Sequence, residues 1–165
     1  MKASNFREIE GKPYTRVEYI DGVPSSKIVK FTMGNTEKEF DYTVELLSLR
    51  DAQIRHKALE AARVAANRLL ELKLGRQNYM LKIVPYPHHV LREHKVLAIA
   101  QADRFQEGMR RAYGTPVGTA ARVERGDTII IAQVPEEGVK VAKEALTRAG
   151  HKLPITCRSL IEENN

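Results

Sequence analysis

Tryptophan is absent from the 165 residues, aromatic residues amount to 6%, and there is a single cysteine, Cys157. One thiol excludes an internal disulfide and a cysteine-built zinc cage, and it fits a reducing compartment. Its apolar and polar neighbours alternate, so Cys157 reads as a small buried hydrophobe in a strand rather than a nucleophile paired with a base. Scarce aromatics also argue against a pure protein-binding scaffold, whose contact surface would be rich in them. Nowhere is there an uncharged run of about 18 apolar residues, the length a membrane helix needs. The opening MKASNFREIEGKPYTR lacks the apolar stretch of a secretory leader. A soluble, cytoplasmic, monomeric protein away from membranes is expected. Internal repeats and low-complexity runs are missing too.

What remains has globular proportions: 42% hydrophobic and 29% charged residues. A chain of this length is expected to form one domain over 1–165 with its own core. Its net charge of +6 is unevenly spread. Basic and acidic residues balance at 8 and 8 over residues 1–50, but stand at 9 against 4 over 76–125. A basic zone on a nearly neutral scaffold is the electrostatic footprint of a polyanion-binding protein, nucleic acid above all. His88, His89 and His94 share that zone and would gain charge beside a phosphate.

Along the chain, residues 1–26 are turn-rich and read as an irregular arm lying over the surface. Lys27–Phe31 and Tyr42–Leu46 have strand composition and are expected in one sheet, separated by a turn at Met33-Gly34-Asn35. Asp51 is placed to cap a helix running to Leu74 and closed by Gly75. At about 100° per residue, Ile54, Ala58, Ala61, Ala65, Leu69 and Leu72 form its core stripe, widened by Leu59, Ala62, Ala66 and Leu70. The opposite face carries His56, Glu60, Arg63, Asn67, Arg68 and Glu71, a solvated surface from which Arg63 and His56 could reach RNA. Strands follow at 79–84 and 90–95, joined by the rigid Pro85-Tyr86-Pro87-His88-His89 connector. Another pair, 119–123 and 128–134, turns at Arg125-Gly126-Asp127. A second helix from Glu136 to Ala149 buries Val139, Ala142, Ala145, Leu146 and Ala149, ends at Gly150, and leads into a strand at 153–158. This order predicts an α+β fold, a mixed or antiparallel sheet covered by two helices.

Residues 102–125 are the chemically pointed stretch. Arg104, Arg110, Arg111, Arg122 and Arg125 are threaded among Gly108, Gly114 and Gly118, with Pro116 between the last two. Glycine and proline break helix and strand alike, so 102–118 reads as a protruding loop whose backbone can lie against a partner. Arginine suits that contact because its planar fork bridges phosphate oxygens or stacks on a base. Catalytic alternatives fail in the same stretch. Gly108 and Gly114 resemble the flanks of a phosphate loop but lack the lysine that follows the second glycine. Asp103 and Glu107 are expected to pair with neighbouring arginines, not to act as an acid and base. His88 and His89, adjacent on an extended chain, point to opposite sides and make a poor metal site. No catalytic residue, metal or cofactor is expected.

The register of Asp103, Arg104, Gly108, Met109, Arg110, Gly114, Pro116, Gly118, Thr119, Ala121, Arg122 and Val123 resembles the signature of the large-subunit ribosomal protein family L-sixteen / L-ten-e. Pro85-Tyr86-Pro87-His88-His89-Val90-Leu91-Arg92 is similar to a second block of that family. Lys12-Pro13-Tyr14-Thr15-Arg16, Gly22-Val23-Pro24 and Lys27-Ile28 resemble its archaeal and eukaryotic branch, and the likeness runs to about Leu160. Arg111 and Thr115 depart from the pattern, standing where glycine and lysine are expected.

The resemblance implies an α/β-hammerhead type of fold seated on large-subunit rRNA below the central protuberance, near 5S rRNA, tRNA and neighbouring ribosomal proteins. It also implies that the loop carrying Arg104, Gly108, Met109, Arg110 and Gly114 approaches rRNA and tRNA. Together the residues and the resemblance give an expected RNA-contacting set: Lys82, His88, His89, Arg92, Lys95, Arg104, Gly108, Met109, Arg110, Arg111, Gly114, Arg122 and Arg125, with Arg16, His56 and Arg63 as additional members. A free-standing RNA-binding regulator fits the same residues.

Overall fold

The computed structural model describes residues 6–9, 11, 17–93 and 114–164. Eight strands and two helices are present among them: β1 (Thr32–Gly34), β2 (Tyr42–Ser48), β3 (Ala52–Arg55), α1 (His56–Leu74), β4 (Met80–Ile83), β5 (His89–Glu93), β6 (Thr115–Val123), β7 (Thr128–Val134), α2 (Val139–Gly150) and β8 (Cys157–Glu163). The fold is α+β as expected, but the strands form two sheets. A five-stranded sheet runs β1-β4-β7-β2-β8 and a three-stranded one β3-β6-β5, with every pairing antiparallel.

One core joins both sheets to the helices. Val44 and Leu46 from β2, Leu81 and Ile83 from β4, and Ile129, Ile130, Ala132 and Val134 from β7 meet Ile54, Ala121 and Val123 of the small sheet. Leu59, Ala62, Ala66, Leu69 and Leu70 of α1 and Ala142, Ala145, Leu146 and Ala149 of α2 close over them. The alanines let the helices approach closely, and the large side chains each contribute about 1.5–3 kcal/mol by leaving water. Tyr79 is 1% exposed, and its hydroxyl donates to Asn67 Oδ1 at 2.8 Å, so the buried oxygen is satisfied.

Several boundaries differ from the sequence expectation, each for a hydrogen-bonding or packing reason. The helix starts at His56, not after Asp51, because residues 52–55 pair with 123–120 of β6. Asp51 Oδ1 accepts the Arg125 backbone N–H at 2.7 Å instead of capping α1. The expected strand at Lys27–Phe31 joins no ladder, since α1 side chains take two of its donors: Lys27 N–H reaches His56 Nδ1 at 3.4 Å and Val29 N–H reaches Glu60 Oε2 at 3.3 Å, while Phe31 O at its end accepts Ile83 N–H at 2.8 Å. The strand in this region is Thr32–Gly34, over the expected turn.

Helix α1 ends at Gly75 as expected, with φ of 75°. Its buried stripe is rotated, however, leaving Leu72 80% exposed and Ala61 exposed, while His56 is 3% exposed in the core. Glu136–Gly138 is a 3-10 turn ahead of α2. Helix α2 ends at Gly150 as expected, followed by His151 as its cap with ordinary helical φ of −66°. The last strand is Cys157–Glu163 rather than 153–158, because its partner is the full length of β2 and Leu153 N–H is spent on Gly150 O.

Candidate nucleic-acid interface

The expected loop at 102–118 is shorter at its far end than the sequence suggests, because residues 115–118 belong to β6. Glu93 of β5 faces Thr115 of β6, so residues 94–114 are bracketed in sequence by paired strands. Pro116 is accommodated because β3 pairs only with residues 120–123, leaving one edge of β6 free where proline has no N–H to offer. A register shift between Leu91 and Arg92 turns the stem locally. Gly118 lies beneath His56: a Cβ there would stand 3.4 Å from the imidazole Nε2.

Inward-facing residues of the small sheet enter the main core, and its outward face carries a second small cluster of Phe6, Leu91 and Ala120 with Val117 against it. Described residues of the N-terminal stretch bond to β3. Gln53 N–H donates to Arg7 O at 2.9 Å and Gln53 Nε2 donates to Glu8 O at 3.1 Å. Arg55 lies over the Phe6 ring at 4.7 Å. Arg122 donates from its guanidinium to Gly11 O, so part of its hydrogen-bonding capacity holds the arm.

The basic side chains divide into two groups. Lys82 on β4, His88 in the connector and Arg125 in the β6–β7 turn are exposed. Arg125 is held through its backbone, which leaves the guanidinium to solvent. His89 and Arg92 on β5 are half-buried. Burial, then the charges of Arg122, His88 and Arg92, push the His89 pKa below its usual value, so the ring is neutral near pH 7 in the free protein. An arriving phosphate would reverse the charge contribution.

His56 and Arg63 do not occupy the solvated face assigned to them. His56 is buried, with Nδ1 3.1 Å from the Thr119 hydroxyl, and burial followed by Lys57, Lys27 and Arg55 lowers its pKa. Arg63 forms a two-pronged pair with Glu60, Nε to Oε2 at 2.8 Å and Nη2 to Oε1 at 2.6 Å. Each holds the other in its charged state: Glu60 is shifted down and Arg63 up, with their mutual hydrogen bond the main cause. Cys157 is half-buried and burial pushes its thiol up to about 11, so it lacks a nucleophile's thiolate. No group of three or more potential metal ligands occurs among the described residues.

A family described as ribosomal protein L16p/L10e matches this sequence over residues 9–160. The chain belongs to that family. It is 56% identical over 153 residues to the large ribosomal subunit protein uL16 of Staphylothermus marinus, covering 93% of this chain and 88% of the relative. The uL16 of Hyperthermus butylicus is 53% identical over 92% of this chain and 84% of its own length. That of Sulfolobus acidocaldarius is 48% identical over 97% and 92%. All three organisms are archaea, in agreement with the branch suggested by the N-terminal blocks.

Family membership spans both arginine-bearing stretches of this chain, 85–92 and 102–123. Of the expected contact residues, Arg16, Lys95, Arg104, Gly108, Met109, Arg110 and Arg111 lie outside the described residues, as does His94. Gly114 is described, at the foot of β6. The structure also brings forward a residue that the sequence reading used only as a spacer. Tyr86, between its two prolines, is 62% exposed and stacks on Phe31. An exposed aromatic bracketed by prolines was the available signal; its partner Phe31 was hidden in a misassigned strand.

Proposed function

We propose that this protein is a structural constituent of the large ribosomal subunit and binds large-subunit rRNA in the cytoplasm. The observation that carries this reading is the family match over 9–160, with archaeal relatives named as large-subunit proteins along most of their lengths. The physical argument supports it independently. Net positive charge is concentrated in 76–125, and the described part of that zone offers Lys82, His88 and Arg125 in exposed positions. Phosphate contacts of this kind supply affinity and register, while RNA shape and splayed bases supply selectivity.

The finer reading is that the protein sits near the central protuberance, in the neighbourhood of 5S rRNA and adjoining ribosomal proteins. Its excursion from the β5–β6 stem then approaches tRNA and helps shape the peptidyl-transferase region. Arg104, Gly108, Met109, Arg110 and Arg111 are the residues assigned to that approach. The role is binding and positioning, with no catalytic residue and no cofactor assigned to this chain.

Density-gradient sedimentation of a cell extract after a moderately high-salt wash tests the central claim. Stoichiometric recovery with the large subunit is the expected result. Recovery only at the top of the gradient would make the protein a free RNA-binding regulator instead. Crosslinking from positions 104 and 110 to tRNA then tests the finer placement.

A further inference from the structure

Tyr86 is presented to solvent with unusual rigidity for an exposed aromatic residue. Pro85 and Pro87 restrict the backbone on either side, and His88 N–H returns to Tyr86 O at 2.9 Å, a tight turn centred on Pro87. The ring packs against Phe31 with centroids 5.5 Å apart and planes 24° from parallel. Both ring-bearing segments are tied to the large sheet: Ile83 N–H donates to Phe31 O at 2.8 Å, and Val84 N–H donates to Ile129 O at 3.1 Å. Despite this anchoring, Tyr86 remains 62% exposed. Among the described residues, Phe31 is its only stacked ring.

The surroundings are cationic. Lys30 precedes Phe31, and Lys82 faces Thr32 across the β1–β4 pair; both lysines are exposed. His88, two residues beyond the ring, is exposed as well, with Nδ1 3.2 Å from Tyr86 O. Aromatic surface backed on one side, with exposed cations in the stretches of chain that carry it, suits an unstacked nucleobase with its adjoining phosphates. A base inside a continuous duplex has no free face to offer, whereas one splayed from a loop, bulge or single strand does.

We infer that Tyr86, backed by Phe31, is a stacking platform for one unpaired RNA base, with the exposed cations of the two ring-bearing segments, Lys30 and His88, available to the adjoining phosphates. This rests on the RNA-binding reading above and adds to it the kind of RNA element that is held and the residue that holds it. The ring is already fixed in place, so little side-chain freedom is lost when the base arrives. Stacking should strengthen binding about five- to a hundred-fold for the single base.

The absence of tryptophan makes the test direct, because Tyr86→Trp introduces the sole indole of the full chain. The probes are an oligouridine and an oligoadenosine of about 12 nucleotides, an RNA duplex of similar length, inorganic polyphosphate and polyglutamate. Quenching of the indole by the single strands, but not by polyphosphate or polyglutamate, is expected. Tyr86→Ala should weaken single-strand binding about ten-fold, Tyr86→Phe should preserve it, and the salt dependence should stay the same in both. Equal single-strand affinity in wild type and Tyr86→Ala overturns the platform while leaving the broader RNA-binding reading intact. Equal quenching by polyphosphate reduces the site to a simple charge patch and overturns it too, and preferential quenching by polyglutamate reassigns the ring to an acidic protein partner. If wild type binds neither these RNAs nor a large-subunit rRNA fragment, both readings fall together.

Discussion

His56 Nδ1 stands 3.1 Å from the Thr119 hydroxyl, joining the first turn of α1 to the middle strand of the small sheet. The ring also accepts Lys27 N–H at 3.4 Å, which brings the incoming chain to the same point. Both contacts use Nδ1 as the acceptor in the neutral ring that carries its proton on Nε2, and burial favours the neutral ring over the charged one.

Acidification should therefore loosen this junction. The folded-state pKa of His56 is lowered below the unfolded value, so the unfolded chain binds the extra proton first as pH falls. Stability should be full above about pH 7 and should decline as pH drops through and below about 6.5. Urea denaturation between about pH 7.5 and 5 checks this. His56→Gln should flatten the part of the slope due to this ring, and an unchanged slope would assign it elsewhere.

Arg63 and Arg125 should separate stability from RNA affinity. Arg63→Ala removes the partner of partly buried Glu60 and should cost on the order of 1–3 kcal/mol of folding stability, with the salt slope of RNA binding unchanged. Arg125→Ala leaves its backbone bond to Asp51 in place. It should fold normally and lower the slope of log K against log salt by about 0.7–0.9, one phosphate contact. The wild-type slope should amount to several such contacts, and a value near one would refute an electrostatically driven interface.

RNA binding should take up a proton at His89. In the free protein its pKa lies below the ordinary value through burial and the nearby Arg122 charge, and a phosphate would raise it. Affinity for an rRNA fragment should therefore increase as pH falls from about 7.5 to 6, and His89→Gln should remove that increase. Isothermal titration in buffers of different ionisation enthalpy reads the proton uptake directly.

Gly34→Ala tests the seam between β1 and β4. Gly34 has φ of 87°, and a Cβ there would fall 2.1 Å from the Tyr79 carbonyl oxygen, which also accepts Asn35 N–H at 2.9 Å. Main chain cannot yield as a flexible side chain would. The substitution should cost at least about 2 kcal/mol, measured by denaturant unfolding, and a neutral result would contradict this packing.

Much of the architecture was legible because periodicity and end signals agreed. The stripe of α2 and the strands expected at 42–46 and 128–134 follow from alternation or helical spacing alone. The start of α1 was not legible: Asp51 is a good cap by residue type, yet residues 52–55 find partners in β6 about 70 residues later, a contact local sequence cannot reveal. The same holds for His56, polar by type but buried because Thr119 and Lys27 arrive from distant segments. The basic zone was readable as composition. How its members divide was not, because Arg122 is engaged by the Gly11 carbonyl, which only the fold brings near.

Strand β2 has a consequence for how this chain is made. Val44 pairs with Ala132 on one side and with Ile161 on the other, both from the last third of the chain. During synthesis, the segment around Val44 precedes both partners, so its β7 edge can be covered only once residues 128–134 have emerged and its β8 edge only once 157–163 have. Closure of the large sheet thus waits for β8, after β2 and β7 can already pair. A nascent chain without β8 exposes a hydrogen-bonding edge, making transient protection by a chaperone or by RNA valuable at that stage.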